Sequence, residues 1–304
     1  MKHIEESEGA FRDKEMKKYL SSFRFPGPER EDIFTLSMAA KSYDQSVYPY
    51  YILPDAGLNE IYFKPLTILY GGNGCGKSTA LNVIAETLKL KRFSAFNRSR
   101  FFESFTESCD FTLEKKIPVK SRIITSDDVF NTMLDIRAIN EGIENKREEL
   151  ANSYYALRYE HYQLKSIDDI EHLHMVVQAK SKSQPKFIKA ESGKSLRERS
   201  NGESALQYFR MMVNPDTLCL LDEPENSLSP ANQKILADFL IESVRYCGNQ
   251  LIISTHSPFL LAMEGAMIID MDNHSRIVDS WTELSNPREY YEFFKEHEQE
   301  FAGV

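Results

Sequence analysis

The stretch Leu66-Thr67-Ile68-Leu69-Tyr70-Gly71-Gly72-Asn73-Gly74-Cys75-Gly76-Lys77-Ser78-Thr79 decides how this chain is read. Its first five residues are apolar and β-prone, which predicts a short buried strand. Gly71 to Ser78 then spell G-x-x-x-x-G-K-S, and Ser78 to Ala85 carry helical spacing. Strand, glycine-rich loop and helix, in that order, form the context in which this motif cradles phosphate. Gly71, Gly74 and Gly76 let the backbone turn with positive φ and come close to an anion. Loop N–H groups and the positive helix end then face that anion. The expected nucleotide contacts are Gly71, Gly72, Asn73, Gly74, Cys75, Gly76, Lys77, Ser78 and Thr79. Lys77 is expected to reach the β- and γ-phosphates and the Ser78 hydroxyl to hold Mg²⁺. A chance glycine-rich turn is the competing reading, and the flanking strand and helix weigh against it.

Three further motifs follow in order. Ser200-Asn201-Gly202-Glu203-Ser204 precedes the helical run Ser204–Phe209. It is either a second anion-binding helix end or an ordinary helix start capped by Ser200. Leu218–Leu221 is another buried strand, with Asp222 and Glu223 at its carboxyl end, the edge at which open parallel sheets bind ligands. Asp222 is expected to hold Mg²⁺ directly or through water. Glu223 is expected to act as general base or water-orienting group, typically worth ~10²–10⁴-fold in rate. Two adjacent acids repel, so a metal ion is a natural partner; two solvated acids at a strand end are the alternative. Leu251–Ser254 runs into Thr255-His256-Ser257, so the same sheet edge predicts His256 near the γ-phosphate. A purely structural hydrogen-bonding histidine is the competing reading there.

With these motifs in hand, the chain resembles the ABC-class ATPases. It looks like the soluble heads of the Rad50, SMC, RecF and OLD type, and is most similar to small stand-alone bacterial AAA family ATPases. The likeness spans about residues 50–295 apart from a poorly matched middle. It implies an α/β fold: a P-loop NTPase core of ABC type with a mixed, mainly parallel sheet, an N-terminal antiparallel β-lobe and a helical insert lobe. It also implies ATP and Mg²⁺ as ligands, and Ser200, Gly202 and Glu203 facing the ATP of a partner protomer in an ATP-dependent homodimer. Two features depart from the family pattern. No glutamine lies between Ser78 and His161; Asp127, in Ile123–Asp128, stands where that amide is usual and is expected near the Mg²⁺ or the attacking water. The loop after the acidic pair reads Asn226-Ser227-Leu228-Ser229, where the family usually ends in aspartate.

Composition sets the outer limits. At 304 residues and 41% hydrophobic, the chain can bury a full core. It reads as one ABC-type ATPase domain, 1–304, with residues 131–199 as a helical and basic insert. A net charge of −9 argues against a generally basic nucleic-acid binder, though not against a local basic patch. Four cysteines without a CxxC pair fit a reducing cytoplasm and neither a structural zinc nor a disulfide framework. His172 and His174 read as surface helix residues. No signal peptide and no run approaching ~20 apolar residues is visible, so a cytoplasmic protein without a membrane part is expected.

Residues 1–30 read as weakly ordered. Tyr50–Leu53 and Glu60–Phe63 read as strands of the β-lobe. Asn131 to Lys165 has helical periodicity through Ile136, Ile139, Ile143, Leu150, Tyr154 and Leu157, a helical lobe packed on the core, since ~45 Å is too short for an SMC-type arm. The lysine- and arginine-rich stretch 178–200 reads first as a solvated loop, with a phosphate-covering segment or a nucleic-acid contact as alternatives. Phe93 and Phe96 read as core. Met267–Asp270 is a final strand and Asn286 begins a terminal helix, leaving no room for the nuclease domain of OLD proteins, so any effector is expected to be a separate protein. The functional expectation is an ATP-driven switch acting on a partner protein or nucleic acid; antiviral defence, toxin control or DNA repair are settings that the family resemblance alone implies. A non-catalytic ATP-sensing scaffold and, less favoured, a transporter motor are the alternatives.

Overall fold

The apolar runs singled out above become the middle of one sheet. Among the described residues nine strands occur: β1 (Leu20–Arg24), β2 (Glu60–Tyr62), β3 (Leu66–Tyr70), β4 (Asp110–Leu113), β5 (Arg122–Thr125), β6 (Leu218–Asp222), β7 (Gln250–Ser254), β8 (Met267–Asp270) and β9 (Arg276–Val278). The computed structural model describes residues 16–32, 47–55, 57–161, 170–192, 201–226 and 228–302. They divide into two compact units, one drawn from Met1–Val129 and Asn201–Val304, the other from Phe130–Ser200.

In the first unit a six-stranded sheet has the order β5-β6-β7-β3-β8-β9. Its first five strands are parallel and β9 closes the edge antiparallel to β8. Strands β3 and β7 are buried along their whole length, as a parallel sheet covered on both faces requires. Helix α1 (Lys77–Thr87) leaves β3 through the glycine loop and packs against β5, β6 and β7. The parallel register aligns the carboxyl ends in one row: Thr125 opposite Asp222, Asp222 opposite Ser254, Ser254 opposite Leu69. Residues one or two positions beyond this row therefore share one edge, and that edge carries the chemistry.

A second sheet, order β2-β1-β4, is antiparallel. Phe23 and Leu20 of β1 share one apolar core with Leu81, Val83 and Ile84 of α1 and with Phe101, Phe102 and Phe105. Gln250 ties the two sheets together. Its Oε1 accepts the backbone N–H of Tyr19 and of Leu20, both at 2.8 Å, and its Nε2 donates to Leu20 O at 2.8 Å. One buried side chain thus stands in for a missing strand-to-strand ladder.

Several local expectations need correction. Leu20–Arg24 is the central strand of the small sheet, not weakly ordered chain, because its alternate side chains fill the core; residues 1–15 lie outside the described set. Tyr50–Leu53 is not a strand: Tyr51 turns with φ 66°, and a short helix, Ile52–Asp55, follows. The third strand comes instead from Asp110–Leu113, whose alternation of polar and apolar residues on an exposed edge gave little signal. Phe93 is 66% exposed, with the Arg122 guanidinium 5.7 Å from its ring centre. Phe96 does pack, edge-on against Phe102 at 5.0 Å.

The second unit is built from α2 (Ser126–Tyr159), which starts in the first unit, α3 (Ile170–Ser181) and α4 (Gln184–Glu191). Leu150, Tyr154, Leu157, Val176, Ala179 and Phe187 form its core. Tyr154 OH donates to Lys182 O, just past the end of α3, at 2.8 Å, and Gln184 Nε2 donates to Ala151 O inside α2 at 3.2 Å. From 178 to Glu191 the stretch is helical except for the link Lys182–Ser183, and is not a solvated loop; Lys194, Arg197 and Arg199 lie outside the described residues. His172 and His174 are exposed on α3. No helix among the described residues is long and apolar enough to cross a membrane.

Candidate nucleotide site

The loop after β3 turns into α1 at Gly76, the helix N-cap, with φ 97° and ψ 7°. An L-residue is strained there. Its Cβ would also stand 3.0 Å from Ile52 Cγ2 and 3.3 Å from Leu53 Cδ2. The first turn of α1 carries no acidic residue, so nothing of its own competes with an anion for the positive helix end. Asn73 and Gly74 are exposed at the loop crest, and Thr79 is buried with its Oγ1 3.4 Å from Tyr48 OH. Lys77 is buried. Its Nζ donates to Gly71 O at 2.6 Å and Gly72 O at 2.9 Å, folded back along the loop. The nearest carboxylate oxygen paired with it is Glu223 Oε1 at 4.0 Å. A buried ammonium held by two carbonyls and a distant acid is suited to a stronger anionic partner.

The acidic pair faces this loop. Ser78 Oγ donates to Asp222 Oδ1 at 2.9 Å, and Ser254 Oγ donates to the same oxygen. Burial pushes the Asp222 carboxyl above its ordinary range, and the two hydroxyls pull it back. A hydroxyl and a carboxylate converging on one point are hard oxygen donors of the kind that Mg²⁺ takes. Glu223 adopts φ 47°, in the left-handed region, a strain of roughly 1–2 kcal/mol for a residue with a Cβ. Its N–H bonds to Ser254 O at 3.0 Å and Oγ at 3.1 Å hold it there. Strain of this type gathers at functional positions. Asn226 Nδ2 donates to Glu223 Oε2 at 3.0 Å and fixes the carboxylate.

His256 lies two residues past Ser254. Its N–H donates to Glu225 Oε1 at 3.0 Å, and its Nδ1 is 3.5 Å from the same oxygen. Thr255 N donates to Leu69 O at 3.2 Å, which anchors this segment to the end of β3.

The remaining expected residues are more loosely placed. Asp127 is exposed in the first turn of α2, and among the described residues no hydrogen bond or ion pair joins it to Ser78 or Asp222. Its neighbour Asp128 is buried, accepts the N–H of Thr125 at 2.8 Å and of Ser94 at 2.7 Å, and with Thr125 Oγ1 forms a reciprocal cap on α2. Gly202 and Glu203 start α5 (Asn201–Met212), with Glu203 exposed; Ser200 lies outside the described residues. A cavity of about 540 Å³ borders the phosphate loop, lined by Tyr50, Tyr51, Ile52, Gly74, Cys75, Met271 and Asp272. Asp272 accepts the Gly72 N–H at 2.8 and 3.1 Å.

Sequence reasoning missed Ser254, Glu225, Asn226 and the cavity. Ser254 was recoverable, since counting residues along two parallel strands sets it opposite Asp222. The cavity was not, because it joins segments some 220 residues apart.

The strand order, the phosphate loop and the acidic edge together match one architecture. Residues 125–262, a little under half of the chain, match the family model described as "AAA domain, putative AbiEii toxin, Type IV TA system". The chain has an α/β fold with a mainly parallel sheet and a glycine loop that leads from β3 into α1, and part of it is similar to this AAA family. The matched stretch contains Asp222, Glu223 and His256 and begins after the phosphate loop. Among solved structures it is similar to an inward-facing ABC transporter described as metal-chelate type, with TM-score 0.39 and 15% identity over 89% of this chain and 86% of that one. It is also similar to an ATP-binding cassette dimer in a post-hydrolysis state with ADP and Pi, with TM-score 0.36 and 14% identity over 73% and 90%. Superposition at that level carries no functional detail. No curated protein matches the chain.

Proposed function

We propose that this ATPase head binds Mg·ATP at the sheet edge, hydrolyses it between two copies of the chain, and switches a separate effector protein or a nucleic acid. The observation that carries the reading is the convergence of Ser78 Oγ on Asp222 Oδ1 at 2.9 Å, with Lys77 Nζ 4.0 Å from Glu223 Oε1. Two motifs more than 140 residues apart thus meet beside one glycine loop.

Backbone N–H groups of Gly74 to Ser78 and the α1 terminus hold the phosphates, and Lys77 swings from its own carbonyls to the β- and γ-oxygens. Ser78 and Asp222 hold Mg²⁺, which when bound neutralises charge on the phosphates. Glu223, fixed by Asn226, orients a water and takes its proton as the water oxygen bonds to the γ-phosphorus and the bond to the β,γ-bridging oxygen breaks. ADP and phosphate leave. His256 hydrogen-bonds the γ-phosphate and so responds to its presence. The cavity beside Tyr51 and Asp272 takes the base and ribose.

Ser200, Gly202 and Glu203 of each copy contact the γ-phosphate held by the other. That contact exists only while the phosphate is present, so its loss lets the pair reopen. In this closed form Asp127 would help to hold Mg²⁺ or to orient the attacking water. Residues 131–199 act as an insert lobe that transmits the state to the effector or nucleic acid, in a setting such as antiviral defence or DNA repair.

Calorimetry and sedimentation test the reading together. Mg·ATP is expected to bind the wild type and to fail with Lys77→Ala. The Glu223→Gln protein is expected to sediment as a two-chain species with Mg·ATP, and Ser200→Arg is expected to prevent this while leaving binding intact. Equal binding by Lys77→Ala would remove the site; dimers unaffected by Ser200→Arg would remove the proposed contact across the pair.

A further inference from the structure

Glu225 is a buried acid that the mechanism above does not use. It is 4% exposed. Its Oε1 accepts from Thr255 Oγ1 and from the His256 N–H, and lies 3.5 Å from His256 Nδ1. Among the described residues neither its buried Oε2 nor the buried His256 Nδ1 has a hydrogen-bond partner. A carboxylate in a protein interior costs several kcal/mol unless a partner compensates it. A ring nitrogen of His256, Nδ1, likewise lacks a partner among the described residues and stands 3.5 Å from the other oxygen of this carboxylate, Oε1. Resting-state hydrogen bonds at such sites are often long and tighten only when substrate arrives. The His256 side chain is 38% exposed. With Nδ1 buried against Glu225, the part of the ring that reaches solvent is its Nε2 edge.

We infer that Glu225 is a positioning residue that accepts the Nδ1–H of His256, fixing the ring so that Nε2 is the atom presented to the phosphates. This rests on the reading of His256 given above and adds a residue to it. The hydrogen bond at one imidazole nitrogen sets the protonation and orientation of the other. A free ring at this place turns about χ2 and offers either nitrogen, whereas a ring held by a buried carboxylate offers one. Glu225 thus acts on turnover only through His256.

Two measurements decide it. Long-range ¹H–¹⁵N spectra of nucleotide-free protein above pH 8 report which nitrogen of His256 carries the proton; the His256→Ala spectrum assigns the signal. The expected result is Nδ1–H in wild type and a shift toward Nε2–H in Glu225→Ala. An Nε2–H ring in wild type overturns the inference, and because this arm needs no ATP it stands or falls apart from the enzymatic reading. The second measurement is kinetic. Glu225→Ala and the gentler Glu225→Gln are expected to lower kcat by ~10–100-fold, the scale seen for outer partners of functional histidines, with KM unchanged. In the His256→Ala background either change is expected to lower kcat no further. Equal losses in both backgrounds would mean that Glu225 merely supports the fold, and the inference fails.

Discussion

Placing a methyl group on Gly76 tests whether the loop geometry is needed for nucleotide. The position has φ 97°, and an added Cβ lies 3.0 Å from Ile52 Cγ2, 3.3 Å from Leu53 Cδ2 and 3.7 Å from Met271 Cε. Left-handed backbone at a non-glycine residue costs roughly 1–3 kcal/mol. Gly76→Ala must lodge this strain somewhere. If the turn keeps its shape, folded protein carries the strain: with ~2.1 cal/mol/K per residue, a chain of this size loses about 2–5 °C in Tm. If the turn relaxes, the N–H groups no longer converge and the strain appears in binding, where 1–3 kcal/mol is about 5–150-fold in the Kd for Mg·ATP. Thermal melts and calorimetric titration of the same sample should recover the strain as the sum of the two losses. Gly142→Ala is the control. Gly142 is exposed inside α2, has ordinary φ and meets nothing within 4 Å, so alanine there is expected to stabilise by up to ~1 kcal/mol. A Gly76→Ala protein with wild-type Tm and wild-type Kd would refute the reasoning.

Other perturbations reach different parts of the account. Gln250→Leu strips partners from the N–H of Tyr19, the N–H of Leu20 and the Leu20 carbonyl, at ~1–3 kcal/mol for each buried group; urea unfolding is expected to show a loss of about 3 kcal/mol or more, and a change under 0.5 kcal/mol contradicts the bridging role. Asn226→Ala frees the Glu223 carboxylate and is expected to lower kcat about 10-fold without altering the Kd for ATP; a changed Kd at constant kcat would assign Asn226 to binding instead. Thiol labelling at pH 8 is expected to modify exposed Cys247 first. Burial pushes the Cys109 thiol up to about 12, so only about one part in ten thousand is thiolate, and labelling should wait for unfolding. Mg·ATP is expected to slow labelling of Cys75, and no protection by nucleotide would argue against ATP at this loop.

The core of the fold was legible because its strands are mostly apolar and the glycine loop sits between two unmistakable elements. Leu66–Tyr70, Leu218–Leu221 and Leu251–Ser254 are buried on both faces, so their sequences read as continuous apolar runs. The small sheet was harder. Leu20–Arg24 and Asp110–Leu113 pair across some 90 residues, and neither has enough apolar periodicity to announce a strand. Tyr50–Leu53 has β-prone residues, yet Pro49, Pro54 and the left-handed Tyr51 turn it into a bend and a short helix. The residues that fix the site's geometry were hidden for a different reason. Asn226 and Glu225 look like loop polars in sequence, and their importance comes from which atoms they touch. Asp127 and Asp128 show the same limit: adjacent and chemically alike, one is exposed and the other caps a helix from inside.

In the proposed mechanism Glu223 activates water against an ATP held by Lys77, Ser78 and Asp222. Phosphate release from Mg·ATP by wild type and by Glu223→Gln, each at an ATP concentration shown to saturate it, tests this most directly. Measurable release is expected from wild type, and a ~10²–10⁴-fold slower rate from the variant at equal Kd. Release by Glu223→Gln at the wild-type rate would contradict it.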